Sequence, residues 1–430
     1  MFEDYIDEKV GFRNGLTIIP RNNKVMIGCT DNGSTLFISK ECYDIICQAI
    51  DENMTYRELI ECVEDEESKE YLHSLLKKIG ENRCWSYDNR KVRGEDMEIS
   101  VDITNICNLR CKHCCVSAGE SKEGNEVDDF SIMKLIQDVI SLNPKILSIS
   151  GGEPLMRKNF VEIANYIKEN YHGKASLMTN ATLITDELAK IISESFYSVD
   201  VSLDGYDEKS CSILRGKGTF KKCINGIKLL QKHGMKKISA SMVVTSENAY
   251  SKPEFYKLCK KMELYPMVRG LSQTGRAIGS VEAPKEESKK RSLPEIREVF
   301  CNKRVWEQPL KVMACQGAKC EFQISYTGNI YPCGGLMEDE FCMGNYYKLD
   351  DLRCFLENEE FKNTSGYKKF VSYKPDHIEK CKDCDFGIMC FTCVADIKEQ
   401  IESKTIHDDC EEQYYYNSLY WEDWEDYESN

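Results

Sequence analysis

Three cysteines lie close together at a spacing that suits metal chemistry. Cys107, Cys111 and Cys114 stand in the stretch CNLRCKHC, with three and then two residues between them. Each thiolate can bind one iron of a 4Fe-4S cube, because sulfur ligands are preferred by iron–sulfur clusters. The fourth iron would then have no protein ligand and would be open to chemistry. A structural zinc site would normally need a fourth protein ligand.

A second group of cysteines lies near the C-terminus. Its eight members are Cys315, Cys320, Cys333, Cys381, Cys384, Cys390, Cys393 and Cys410. Eight thiolates are enough for two fully ligated 4Fe-4S clusters, although C-x2-C pairs also suit a double zinc ribbon. Two independent arrays in one chain argue against the alternative that the first three cysteines are inert core residues.

Composition limits the class of protein. The chain has 430 residues, 23 cysteines and a net charge of −15 from 57 basic and 72 acidic residues. The negative charge disfavours binding to nucleic acid or to an anionic membrane. No apolar run approaches the roughly 18 residues that span a bilayer. We therefore expect a soluble, cytoplasmic protein in a reducing cell interior, with clustered cysteines that bind metal and no disulfide framework.

Six strand-like runs alternate with amphipathic helices between residues 98 and 271. They predict an α/β fold with a parallel sheet, curled into a partial (β/α)6 TIM-like barrel. Functional loops in such sheets follow the carboxyl ends of the strands. The cysteine loop follows the first run, and Gly151-Gly152-Glu153-Pro154 follows the second. Asn180 follows the third, and Asp204 follows the fourth.

The motifs CNLRCKHC and SGGEP together resemble the radical S-adenosylmethionine (radical SAM) superfamily, over residues 98–300. The resemblance implies that Cys107, Cys111 and Cys114 hold the catalytic cluster, whose open iron binds S-adenosylmethionine. It implies further cofactor contacts from Gly151, Gly152 and Glu153 to the amino group, Asn180 to the ribose, and Ser202 and Asp204 along the pocket. Arg215 would pair with the cofactor carboxylate, and a surface ion pair is its alternative role.

Two residues depart from the usual pattern of that superfamily. His113 stands directly before the last cysteine of the motif, where an aromatic residue is common. Cys115 stands directly after that cysteine, where an aromatic residue is also common. We expect His113 to stack near the adenine or simply to pack.

The C-terminal array resembles the SPASM-type extension of radical enzymes that act on peptides, and we assign it to residues 301–410. The resemblance implies that Cys315, Cys320, Cys333 and Cys393 hold the nearer auxiliary cluster. Cys381, Cys384, Cys390 and Cys410 would then hold the outer one. Residues 411–430 form an acidic, aromatic tail, interpreted either as a packed last helix with a frayed end or as a lid over the substrate.

Residues 1–86 predict a small winged-helix-like domain, followed by a linker over 87–97. Strand-like runs at Leu16–Pro20, Lys24–Cys29 and Ser34–Ser39 precede three helices. The pattern resembles the peptide-recognition element of enzymes that modify ribosomally made peptides, where a leader peptide adds a strand to the sheet. A DNA-binding winged helix is disfavoured, because this segment carries 10 basic and 17 acidic residues. A purely structural cap is the other alternative.

Together these resemblances imply a radical SAM maturase that crosslinks a precursor peptide, with cysteine thioethers as the favoured linkage. A 5′-deoxyadenosyl radical would remove a hydrogen atom, and flavodoxin or ferredoxin would supply the electron. The expected cofactors are S-adenosylmethionine and three 4Fe-4S clusters, one catalytic and two auxiliary. Alternatives are carbon–carbon crosslinking, side-chain oxidation like that of anaerobic sulfatase maturases, and a non-enzymatic iron–sulfur scaffold that binds peptides.

Overall fold

A computed structural model describes most of the chain, and its described residues pack into two units. One unit draws on residues 1–91, 289–316 and 371–430, and the other on residues 92–288 and 317–370. The predicted boundaries at 86, 97, 300 and 410 stay predictions. The described residues are 2–29, 34–88, 93–119, 126–284, 315–384, 386–387, 390, 393–404, 410, 414–415 and 417–418. Most of the acidic tail therefore lies outside them.

The first unit begins with a three-stranded antiparallel sheet in the order β1-β2-β3. The strands are β1 (Leu16–Arg21), β2 (Lys24–Cys29) and β3 (Ser34–Ser39), which confirms the three predicted runs. Side chains of a strand alternate between its two faces. Val25 and Ile27 accordingly enter the core of the N-terminal segment, whereas Met26 points the other way and packs against Phe386. Both faces of β2 are therefore covered.

Three helices complete this segment: α1 (Lys40–Asp51), α2 (Tyr56–Glu61) and α3 (Glu66–Glu81). Each begins at a residue whose side chain accepts a backbone N–H of the first turn, as helix caps do. Thr55 and Glu58 form the capping box that the sequence predicts. Trp85 is fully buried and donates its indole N–H to the carbonyl oxygen of Leu76, which joins the chain after α3 to that helix.

The second unit contains six parallel strands in chain order, which confirms the predicted partial barrel. They are β4 (Glu98–Asp102), β5 (Ile146–Ser150), β6 (Lys174–Thr179), β7 (Ser198–Ser202), β8 (Ile238–Val243) and β9 (Tyr265–Arg269). The helices between them are α4 (Asp129–Ser141), α5 (Phe160–Asn170), α6 (Asp186–Ser195), α7 (Glu208–Arg215), α8 (Thr219–Lys232) and α9 (Lys252–Lys261).

The sheet continues beyond β4 with strands that the sequence did not predict. Strand β10 (Glu321–Ile324) pairs parallel to β4, and β11 (Asn329–Tyr331) and β12 (Gly344–Asn345) follow antiparallel. This addition covers the free edge of β4 and buries Phe322 and Ile324. Helices α10 (Leu352–Glu357) and α11 (Ser365–Ser372) come next, and α12 (Val394–Ser403) belongs to the C-terminal part of the chain. No helix among the described residues is long and apolar enough to cross a membrane.

Alternation gives the parallel sheet one apolar and one polar face. On β4, Ile99 and Val101 are buried apolar residues, whereas Ser100 and Asp102 occupy the alternate positions. Serines occupy polar positions on other strands of the sheet as well, at Ser148 and Ser150 on β5 and at Ser239 and Ser241 on β8. The polar face therefore presents hydroxyl and carboxyl groups beside the strand ends, where the motif loops begin.

Candidate active site

The cysteine loop leaves the carboxyl end of β4 and surrounds its sulfur atoms with N–H donors. Leu109 N lies 3.4 Å from Cys107 Sγ, and Ala118 N lies 3.3 Å from Cys114 Sγ. The Nη1 atom of Arg215 lies 3.8 Å from Cys111 Sγ. Donors and a positive charge around three sulfurs favour their thiolate form and suit an anionic cluster.

Burial disfavours the thiolate form of two of these cysteines in the absence of metal. Burial raises the pKa of the Cys107 thiol to about 11, and it also raises the pKa of Cys111, against the lowering effect of Arg215. Iron binding would supply the positive charge that holds such groups as thiolates. No three His, Cys, Asp or Glu side chains of the described residues surround one metal position. A cube differs in placing each thiolate on a separate iron.

The GGEP loop after β5 lies directly against the start of the cysteine loop. Gly152 N donates to the carbonyl oxygen of Thr104 at 2.7 Å, and Glu153 N donates to that of Ile106 at 2.9 Å. A Cβ atom on Gly151, whose φ is +138°, would lie 2.3 Å from the Thr104 oxygen. A Cβ on Gly152 would lie 2.4 Å from the Ile106 oxygen. Both positions require glycine because the two backbones touch there.

The Glu153 carboxylate is fully buried and joins the loops after β5 and β6. It accepts hydrogen bonds from Thr179 Oγ1 at 2.7 Å and from Asn180 N at 2.8 Å. Burial raises the pKa of this carboxyl, against the lowering effect of its hydrogen bonds. The structure thus gives Glu153 a positioning task, and its predicted contact with a cofactor amino group stays a prediction.

Asn180 is tied to the cysteine loop by its side chain. Its Nδ2 atom donates to Asn108 Oδ1 at 3.0 Å, and its Oδ1 atom accepts from Thr182 N at 2.9 Å. Ser202 lies half-buried at the end of β7. The predicted ribose contact of Asn180 and the predicted pocket role of Ser202 stay predictions.

Asp204, Arg215 and His113 form a buried charge cluster beside Cys111. Arg215 Nε lies 2.5 Å from Asp204 Oδ2, and His113 Nε2 lies 3.0 Å from the same oxygen. Val243 N donates to Asp204 Oδ1 at 2.6 Å. Asp204 has no exposed surface, and the Arg215 side chain is 10% exposed, so this ion pair is not on the surface. His113 packs here, which was one of its two expected roles.

Charge dominates the titration of this cluster. Burial would raise the pKa of the Asp204 carboxyl, but the charges of Arg215 and His113 outweigh it and lower that pKa to about 2. Burial in turn would lower the pKa of Arg215, and the Asp204 charge raises it overall. Asp204 and Arg215 are therefore both ionised at neutral pH. The guanidinium brings its charge to the Cys111 sulfur, and its predicted contact with a cofactor carboxylate stays a prediction.

Arg276, which follows β9, holds the cysteine loop in place through hydrogen bonds, and the sequence analysis did not predict this role. We call these contacts the Arg276 clamp. Arg276 Nε donates to the carbonyl oxygen of Cys111 at 3.0 Å, and its Nη1 donates to that of Ala118 at 2.7 Å. Arg276 N also donates to the Cys114 oxygen at 3.0 Å. The sequence contains only one signal for this clamp, a Gly275-Arg276 pair shortly after the last strand of the barrel.

Four of the C-terminal cysteines lie together in the first unit. Burial raises the pKa of the Cys390 thiol to about 11, and charge on three neighbours raises it further, namely Cys384, Cys381 and Cys410. Asn417 Nδ2 lies 3.5 Å from Cys390 Sγ. These are the four residues predicted for the outer auxiliary cluster.

The other four C-terminal cysteines are divided between the two units. Burial raises the pKa of Cys393, at the start of α12, and nearby Cys315 adds to that effect. Cys320 and Cys333 belong to the second unit, where Ala318 N donates to the Pro332 carbonyl oxygen at 3.0 Å and joins their two turns. The predicted ligand set that combines these four residues stays a prediction.

Comparison with known proteins agrees with this geometry. Residues 101–259 match the model of the Radical SAM superfamily. The chain is 31% identical over 186 residues to an Fe-coproporphyrin III synthase of Methanosarcina barkeri, covering 41% of this chain and 46% of that protein. It is 29% identical over 187 residues to the mycofactocin maturase MftC of Mycolicibacterium smegmatis, covering 43% and 47%. The match thus spans about half the length of these two relatives.

Two further similarities extend over more of the chain. A cysteine-type anaerobic sulfatase-maturating enzyme of Clostridium novyi is 25% identical over 330 residues, covering 66% of this chain and 83% of that protein. The crystal structure of Streptococcus suis SuiB bound to S-adenosylmethionine has a TM-score of 0.53 at 15% identity, covering 90% of this chain and 96% of SuiB. At that identity, SuiB supports the fold alone.

Residues 101–259 therefore form a radical SAM domain, and the proteins similar to this chain include a mycofactocin maturase and a sulfatase-maturating enzyme. The match over residues 101–259 implies S-adenosylmethionine and a 4Fe-4S cluster as cofactors. Of the described cysteines, Cys107, Cys111 and Cys114 have the spacing and the donor-lined surroundings that suit such a cluster.

Proposed function

We propose that this protein is a radical SAM maturase that crosslinks a ribosomally made precursor peptide, with cysteine thioethers as the favoured linkage. One observation carries the proposal: the N-terminal sheet packs directly on the second cysteine array. Met26 of β2 packs against Phe386, and the partly buried Cys384 joins the same cluster. This contact supports the proposal that the N-terminal domain presents a peptide beside the cysteines expected to hold an auxiliary cluster.

The N-terminal sheet has the form that binds an extended peptide. Each of β1 and β3 pairs with β2 alone among the described strands, so they are the outer strands of this sheet. A leader peptide would add a strand at such an edge and lie against α3. The expected partner is therefore a precursor peptide whose leader binds this domain.

Two of the compared proteins support a peptide substrate. MftC is by name a mycofactocin maturase, and SuiB has been solved bound to its precursor peptide SuiA. The latter structure covers 91% of this chain with a TM-score of 0.53.

The chain's own residues would prepare the site for the reaction. Cys107, Cys111 and Cys114 would hold the cluster, while Glu153 and Arg276 fix the loops around it. When bound, the cluster and S-adenosylmethionine supply a carbon radical that removes hydrogen from an unactivated carbon. The buried pair of Asp204 and Arg215 keeps a fixed positive charge beside the Cys111 sulfur.

The auxiliary cysteines would serve the oxidative half of the reaction. Forming a crosslink removes two hydrogens from the peptide, so an electron must leave the substrate after the first hydrogen is removed. Two auxiliary 4Fe-4S clusters, held by the eight C-terminal cysteines, would accept that electron. Flavodoxin or ferredoxin would supply the electron that starts each turnover.

Oxidation of a protein side chain is the second candidate. The 25% identity over 330 residues to an anaerobic sulfatase-maturating enzyme supports it, since that match covers 83% of the relative. Carbon–carbon crosslinking remains an alternative linkage for the first candidate. An iron–sulfur scaffold that binds peptides without catalysis is the non-enzymatic alternative.

Anaerobic reconstitution followed by mass spectrometry separates these candidates. The full chain is combined with dithionite, S-adenosylmethionine and a candidate precursor peptide, to be sought among short cysteine-rich reading frames beside the gene, with the Cys111→Ala variant as control. We expect 5′-deoxyadenosine from the wild type only, and the loss of two hydrogens per linkage in the peptide. A mass change that fits only an aldehyde favours the second candidate. Absence of 5′-deoxyadenosine with every reductant leaves only the scaffold.

A further inference from the structure

A cavity of about 380 Å³ lies beside the cysteine loop, within the second unit. Its walls come from the loop after β4, from Gly151, from Thr274 and Gly275, and from the segment 325–339 around β11. The volume lies at the lower end of the range for small-molecule sites, so it fits one or two amino-acid side chains. Gly151 and Cys115 place this cavity directly next to the predicted cofactor and cluster positions.

Asp102 is the buried carboxyl of this cavity. It is the last residue of β4, is 7% exposed, and has the side chains of Gln323 on β10 and Ser150 on β5 as neighbours. Burial raises the pKa of this carboxyl to about 7, against the lowering effect of these two polar neighbours. A proton acceptor works best when its pKa is near the operating pH.

The remaining lining groups are neutral or acidic. The titratable ones that accompany Asp102 are Cys115, Tyr326, Tyr331, Glu338 and Asp339. Among the described residues, no Lys, Arg or His lines the cavity. A carboxyl-rich wall without a basic side chain repels anionic groups and accepts neutral or cationic ones. The cavity therefore suits an uncharged peptide side chain better than a polycarboxylate such as a coproporphyrin.

We propose that this cavity receives the reacting side chain of the peptide and that Asp102 accepts the proton released when the crosslink forms. This inference rests on the function proposed above and names the chemistry of its substrate pocket. Asp102 is positioned for the task because it is buried, faces the cavity and lies on the strand that leads into the cysteine loop.

The step balances in atoms and charge. Removal of a hydrogen atom leaves a radical on a substrate carbon. When a peptide thiol adds to that carbon, a C–S bond forms and the S–H bond breaks, which leaves one proton and one electron. The proton goes to the Asp102 carboxylate, and the electron goes to a one-electron oxidant, an oxidised iron–sulfur centre, which is reduced.

Cys115 offers a readout that does not depend on turnover. It is solvent-exposed and lines the cavity. A peptide side chain in the cavity would cover its sulfur. Alkylation of Cys115 in the reconstituted protein, mapped by mass spectrometry, should therefore slow at least about fivefold when the candidate precursor peptide is added.

The test compares the wild type with Asp102→Asn, Asp102→Glu and, as a control, Asp200→Asn. Asp200 is a strand carboxyl on β7 that pairs with Arg269 at 2.8 Å and lies outside the cavity. The measured quantity is 5′-deoxyadenosine formed per linkage. A general base contributes about 100-fold or more, so Asp102→Asn should keep forming 5′-deoxyadenosine while its linkage yield falls at least about tenfold. Asp102→Glu should recover part of the yield, and Asp200→Asn should keep the wild-type ratio.

The outcomes that would contradict the Asp102 inference differ from the one that would contradict the proposed function. The Asp102 inference is overturned if Asp102→Asn crosslinks as the wild type does, or if its 5′-deoxyadenosine and linkages fall in parallel. It is also overturned if the peptide leaves Cys115 alkylation unchanged while the wild type crosslinks it. A wild type that makes 5′-deoxyadenosine but no linkage overturns the proposed function itself.

Discussion

The Nε atom of Arg276 lies 3.0 Å from the carbonyl oxygen of Cys111. The same side chain reaches the Ala118 oxygen with Nη1 at 2.7 Å, so one guanidinium holds the cysteine loop on both sides of Cys114. A rigid guanidinium fork makes two such bonds with a single fixed geometry. The loop that carries the three cysteines is therefore positioned by a residue that follows the last barrel strand.

Replacing Arg276 with glutamine should loosen this loop. Hydrogen bonds from a charged donor contribute about 1.5–3 kcal/mol each, so we expect the free energy of unfolding to fall by about 3 kcal/mol. We also expect a chelator to remove iron faster from the anaerobically reconstituted protein. Arg57→Gln is the matched control, because Arg57 makes an exposed ion pair with Asp7 at 2.6 Å. Equal chelation rates for the two variants would contradict the clamp.

Gly275→Ala should disturb the cysteine loop through a direct clash. A Cβ at this position would lie 2.4 Å from the Cys115 oxygen and 2.6 Å from the Cys114 oxygen, at a φ of +57°. Gly279 has a similar φ of +68° with nothing within 4 Å of the added Cβ, so Gly279→Ala carries the same backbone strain without the clash. We expect Gly275→Ala alone to lose about a third of the iron, the share of one cluster in three. The measurement is the iron content of the two purified variants. Equal iron losses in Gly275→Ala and Gly279→Ala would mean that backbone strain alone causes the loss.

Asp204 and Arg215 should behave as a coupled pair. Removing one partner of a buried ion pair leaves an uncompensated charge and costs about 3–5 kcal/mol. Asp204→Asn and Arg215→Met should each lower the free energy of unfolding by about that amount, and the double variant should lose clearly less than the sum. Denaturant unfolding of the apoprotein measures this cycle. Additive losses would show that the 2.5 Å contact contributes no coupling.

Cys390→Ala should remove one auxiliary cluster. Cys390 lies among Cys381, Cys384 and Cys410, and loss of one thiolate leaves a cube with three ligands. The wild type should bind about 12 iron atoms, and Cys390→Ala about 8, with Cys62→Ala unchanged. Cys62 is an exposed cysteine outside both arrays and serves as the control. Full iron content in Cys390→Ala would exclude this residue from the ligand set.

Local sequence was sufficient for the elements and the motifs. The run Ile146–Ser150 predicted β5, and the Thr55–Glu58 capping box predicted the start of α2. Such features depend on residues a few positions apart, so their physics is contained in a short stretch of chain. The placement of the cysteine loop and of GGEP at strand ends followed in the same way from the alternation of strands and helices.

Contacts between distant segments were decided only by the tertiary structure. The sequence does not indicate that Gln323 lies beside Asp102, because that proximity depends on β10 pairing in parallel with β4. Nor did it indicate which partner Arg215 would find, since a guanidinium pairs with whichever carboxylate the packing of α7 brings near.

The sequence alone was therefore sufficient to predict that the cysteines bind iron–sulfur clusters, because ligand identity and spacing are local properties. The surroundings of the cysteines could not be predicted in this way. Burial, the clamp by Arg276 and the acidic cavity around Asp102 arise from segments far apart in the chain. Packing alone decides which of these groups lie within hydrogen-bonding distance, and that distance sets their charge and their reactivity.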